Sequence, residues 1–117
     1  MRILVSSEDD YRAYRDVIAA GIRIFRPHVE VEVTSLEALA ERIERLDPHL
    51  VICSGHAAKH SGRIPAWVEL SIDTTLPSKI SVGGQYSERI NPTLEVLLSV
   101  IDEVEELIQT NCHLSNS

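Results

Sequence analysis

Leu50-Val51-Ile52-Cys53 is the stretch on which the reading of the fold turns. Four apolar residues stand in unbroken succession, with Asp47-Pro48-His49 before them and Ser54-Gly55 after. A strand with one wet face alternates apolar and polar side chains. A strand covered on both faces does not, and such strands belong to parallel sheets flanked by helices. Working back toward the N-terminus, Leu36, Leu39, Ile43 and Leu46 recur at helical spacing, and Asp47-Pro48 stops that helix. Thr34, followed three residues later by Glu37, has the form of a capping box. Val29 to Val33 reads VEVEV, the alternation of a strand near a sheet edge. Before it, Tyr14, Ile18, Ile22 and Phe25 mark a helix opened by Glu8-Asp9-Asp10 and ended by Pro27. The chain begins with the short strand Arg2 to Ser6. Residues 1–54 therefore read β-α-β-α-β, which implies a parallel sheet with right-handed crossovers.

Working forward, the pattern changes. Ser54 to Pro65 has no apolar period. Ala66 to Ile72 alternates as a fourth strand, and Ile80 and Val82 mark a fifth. Only Asp73 to Ser78 separates them, too short for a parallel crossover of a dozen or more residues, so the two are expected to be antiparallel. Gly83-Gly84 is a two-residue hairpin signal, with a return strand at Gln85 to Ser87. Asn91-Pro92 reads as the cap and first turn of a last helix running to about Thr110. The expected fold is a three-layer α/β domain over residues 1–110. Its parallel strands take the order 2-1-3 and then 4, an antiparallel meander follows, and a long C-terminal helix closes it. Residues 111–117 are expected to be a polar tail.

Composition bounds the function. The chain has 117 residues, 44% apolar and 25% charged, which suits one domain with one core. Its formal charge of −7 argues against nucleic acid and against anionic membrane surfaces. No window holds the roughly 20 apolar residues of a membrane span. The opening MRILVSS is too short and too soon polar for a signal peptide, so a cytoplasmic protein is expected. Cys53 and Cys112 form no disulfide framework.

Asp47-Pro48-His49-Leu50-Val51-Ile52-Cys53-Ser54 resembles the segment of bacterial response-regulator receiver domains that leads to the phosphorylated aspartate. Arg2-Ile3-Leu4-Val5-Ser6-Ser7-Glu8-Asp9 is similar to that family's first strand with its magnesium-binding acids. The resemblance covers residues 1–54 and implies a flavodoxin-like fold. It places the acceptor position on Ser54, a hydroxyl where an acyl phosphate needs a carboxylate. The acid pair falls on Ser7 and Glu8, or on Glu8 and Asp9. The family's hydroxyl residue after the fourth strand falls on Ser71 or Thr74, and its lysine after the fifth is replaced by Gly83-Gly84. The resemblance thus implies a degenerate receiver, a regulatory or protein-interaction domain with no phosphoryl chemistry and no cofactor.

Ligands of parallel α/β sheets bind beyond the carboxyl ends of the strands. The alternative function is therefore a metal- or anion-binding domain, open to being an enzyme, that uses this crevice. His56 and His60, four apart, with Glu8, Asp9 and Ser54, are the candidate divalent-metal or ligand residues. Lys59 and Arg63 are the candidate anion residues. No glycine-rich phosphate loop follows the first strand, and no G-x-S-x-G turn surrounds Ser54, so the non-enzymatic reading is preferred. The last helix carries two apolar stripes. A homodimer through Leu97, Val100, Val104 and Leu107 is the expected partner contact.

Overall fold

The computed structural model describes residues 1–8, 11–54, 64–71 and 75–115, with side chains described as far as residue 109. Six strands form one sheet: β1 (Arg2–Ser7), β2 (Glu30–Ser35), β3 (Leu50–Ser54), β4 (Ala66–Leu70), β5 (Pro77–Val82) and β6 (Gln85–Ile90), in the order β2-β1-β3-β4-β5-β6. β2, β1, β3 and β4 run parallel. β5 runs antiparallel to β4 and β6 antiparallel to β5, as their short connections require. Three helices, α1 (Arg12–Phe25), α2 (Leu39–Leu46) and α3 (Leu94–Ser115), complete the described elements. The fold class is mixed α/β with a C-terminal helix, and no described helix is long and apolar enough to cross a membrane.

Alternation along the strands divides the core. Ile3, Val5, Leu50, Ile52, Ala66, Val68, Leu70 and Ile80 face α1 and α3. Leu4, Val51, Cys53 and Trp67 face the other way, where Leu39 and Ile43 of α2 cover them. β3 is accordingly buried at every residue, which is the physical meaning of its unbroken apolar run. Gly21 lets α3 come close to α1, because a Cβ there would sit 2.8 Å from Leu94 Cδ2. At the far end of the helix, Arg26 grips Asp102 of α3 through two hydrogen bonds of 2.8 Å. That guanidinium holds the Asp102 carboxyl below the usual carboxylate range. His28 Nε2 lies 2.9 Å from Glu105 on the same helix.

Several element boundaries differ from expectation, each for a local reason. α1 begins at Arg12 with no acid in its first turn, and the Tyr11 amide instead donates to the Glu8 carbonyl at 2.9 Å. Thr34 is inside β2 rather than capping a helix. The Ser35 hydroxyl takes the Ala38 amide at 3.3 Å, and α2 starts at Leu39. Asn91 is in the left-handed region at φ 48°. The start of α3 moves to Thr93, whose Oγ1 accepts the Val96 amide and whose carbonyl accepts the Leu97 amide. The expected polar tail is part of α3 as far as Ser115.

Candidate functional site

The carboxyl ends of β1, β3 and β4 are where a parallel sheet offers a crevice. Ser6, Ser7 and Glu8 stand at the end of β1, Ser54 at the end of β3, and Ser71 just after β4. These side chains mark the limit of the described apolar core. Ser7 and Ser54 are both buried and lie on the α1/α3 face, continuing the rows Ile3-Val5 and Leu50-Ile52. Ser6 lies on the α2 face, in the row of Leu4 and beside its register partner Cys53. The Ser7 hydroxyl donates to the Glu8 carbonyl at 3.1 Å. The Ser78 hydroxyl accepts the Ser71 amide at 2.9 Å. The hydroxyls of Ser6 and Ser54 are buried without a hydrogen-bond partner among the described residues, and they face opposite sides of the sheet.

Glu8 is exposed, and Ser54, at the position the resemblance gives to the acceptor, carries no charge and is 4% exposed. Burial pushes the Cys53 thiol up to about 12, against the smaller opposing effect of its hydrogen bond with Trp67. It stays protonated at neutral pH and belongs to the core rather than to nucleophilic chemistry. Of the other candidates, Asp9, His56, Lys59, His60, Arg63 and Thr74 lie outside the described residues. Among the described residues, no three His, Cys, Asp or Glu side chains converge as metal ligands would. A groove of about 310 Å³ lies elsewhere, beside β2, lined by Arg23, Glu30, Val31, Glu32, Val33 and Leu46.

The expected interface residues have another use. Leu97, Val100 and Val104 are 1%, 5% and 0% exposed within the single chain, where they pack on the sheet with Ile101. Leu107 is half-buried over the β5–β6 turn, its Cδ2 placed 3.1 Å from where a Cβ on Gly83 would stand. Within the single chain both apolar stripes of α3 are thus buried or partly buried, against the sheet and against α1 at Gly21. Among the described helices, the large apolar side chains left exposed are on α1: Tyr14, Val17, Ile24 and Phe25, exposed by 46% to 71%. Sequence reading used Tyr14 and Phe25, with Ile18 and Ile22, to mark the helical period and did not name Val17 and Ile24. The signal was present in Val17 and Ile24, seven residues apart and off the stripe of Ile18 and Ile22. Compared with protein-family models, with curated proteins and with solved structures, the chain matches none.

Proposed function

We propose that this chain is a non-catalytic, receiver-like regulatory domain of the bacterial cytoplasm that acts by binding protein. The observation that carries the reading is Ser54. The position at the end of the central strand, where a receiver presents a carboxylate, holds a buried, uncharged hydroxyl. An alcohol cannot form the acyl phosphate on which receiver signalling depends. The order β2-β1-β3-β4 with helices over both faces supports the receiver-like part of the reading. The exposed apolar stripe of α1 supports the interaction part, since contiguous apolar surface on a small domain commonly marks a contact site. A second reading, a small ligand held in the crevice, draws on the unpartnered Ser54 hydroxyl, because buried polar groups are rarely left unsatisfied.

Incubation with acetyl phosphate and magnesium, followed by intact-mass measurement at neutral pH, tests the first reading. The expected outcome is an unchanged mass. An acid-stable, base-labile phosphoryl adduct on Ser54, or an acyl phosphate on any acid, would contradict it.

A further inference from the structure

The two edges of the sheet are treated differently. At one edge, β2 carries Glu30 and Glu32, and Arg42 of α2 pairs with Glu32. The Glu30 amide donates to the Met1 carbonyl of the β1 side, so strand alternation turns the Val31 backbone outward. Arg23 of α1 takes that outward Val31 carbonyl at 2.8 Å. At the other edge, all six residues of β6 are exposed. Gly83 and Gly84, at φ 56° and 86°, form a two-residue turn between Val82 and Gln85. In such a hairpin the flanking pair is hydrogen-bonded. Gln85, Ser87 and Arg89 therefore bond to β5, and the amides and carbonyls of Tyr86, Glu88 and Ile90 point away from the sheet. No described group reaches them.

We propose that β6 pairs antiparallel with β6 of a second copy, about a two-fold axis through Glu88, joining two sheets into one. The pairing names a partner for the interaction-domain reading and rests on it for its use, but it lies on a different surface from the α1 stripe. The outward row of β6 reads apolar-acid-apolar, so it complements itself when reversed. Tyr86 of each copy falls opposite Ile90 of the other, and both are more than half exposed in the single chain. Aromatic and branched side chains opposite each other are a favourable cross-strand pair. On the other face Ser87 falls opposite Arg89. The three outward residues of each strand exchange their amides and carbonyls fully only in this register. Its cost is Glu88 opposite Glu88, and each is already opposite Lys79 on its own β5, whose other neighbour is Glu69. A closed two-fold contact of this kind uses up both free edges and stops at two copies.

Sedimentation equilibrium of the full chain tests the pairing. The wild type is expected to dimerise weakly and reversibly. E88P removes an outward amide while leaving the β5–β6 ladder intact, as proline does on edge strands. It is expected to abolish the dimer with its unfolding midpoint nearly unchanged. The surface pair Y86E/I90E keeps the backbone and is expected to weaken the dimer at least ~10-fold. E88Q, which removes the like-charge contact, is expected to tighten it ~3-fold. A wild type that stays monomeric up to millimolar concentration, or an E88Q that dimerises less well, would overturn the pairing. So would a dimer that survives both E88P and Y86E/I90E but is lost in V17E/I24E. That last outcome would leave the interaction-domain reading standing and move its contact to α1.

Discussion

Replacing Val104 by aspartate is expected to unfold the chain, not to separate two folded copies. Val104 is fully buried at the middle of α3 and belongs to the core cluster that joins α3 to the sheet side chains. A carboxylate there has no partner and no water, and such an uncompensated charge costs more than about 4 kcal/mol. That is a large part of the ~5–15 kcal/mol that holds a small domain together. Val104→Ala, which only opens a cavity, is expected to cost about 2 kcal/mol. Urea unfolding monitored by circular dichroism, run beside sedimentation velocity, distinguishes the cases. If α3 were a dimer seam, V104D would be a folded monomer with wild-type stability. On the packing described here it is a poorly folded chain at any concentration.

The second large effect belongs to Ser54→Asp, which introduces the residue type that a receiver domain carries at the resembling position. The side chain is 4% exposed, follows Leu50 and Ile52 on the α1/α3 face, and has Leu70 as its register partner. An ionised aspartate is expected to cost about 2–4 kcal/mol here, because the buried charge loses its water. The sign of the pH dependence follows. Burial raises the folded-state pKa above the unfolded value of about 3.9, so the unfolded chain releases its proton first as pH rises. The penalty is absent below the unfolded pKa, grows as pH rises toward the folded pKa, and is constant above it. Thermal unfolding of S54D and wild type across acidic and neutral pH checks this, with the two midpoints converging in acid. A variant as stable as wild type at neutral pH would mean that groups at this edge already stabilise an anion.

These two positions also show what the sequence could and could not reveal. The parallel half was legible because its signals are local and periodic. VEVEV announced an edge strand, LVIC a fully covered one, and the short span from β4 to β5 forced antiparallel pairing. The doubled stripe of α3 was legible, and Leu97, Val100 and Val104 of it are buried within the single chain. Periodicity reports that a helix has two apolar sides and does not say whether a wide sheet or a second chain covers them. α1 failed in the opposite direction. Tyr14 and Phe25 keep the helical period, yet they sit at the border of the face that Ile18 and Ile22 bury, and how far α3 extends over α1 is a tertiary fact. The helix starts moved by a few residues: α2 begins at Leu39 with no side-chain bond at its N-cap Ala38, and ahead of α3 the Thr93 hydroxyl accepts the Val96 amide where Asn91 was expected to cap. At the candidate crevice the sequence placed Ser54 correctly at a strand end. It could not show that Ser6 and Ser54, both buried and unpartnered, face opposite sides of the sheet.

The central claim is that this domain works through protein contacts and not through a bound ligand or a reaction. Native mass spectrometry of freshly purified chain, before and after treatment with a chelator, tests it most directly. The account predicts the mass of the chain and of its dimer, with nothing added and no change on chelation. A retained mass that the chelator or mild collisional activation removes would contradict it, and would favour the ligand-binding reading.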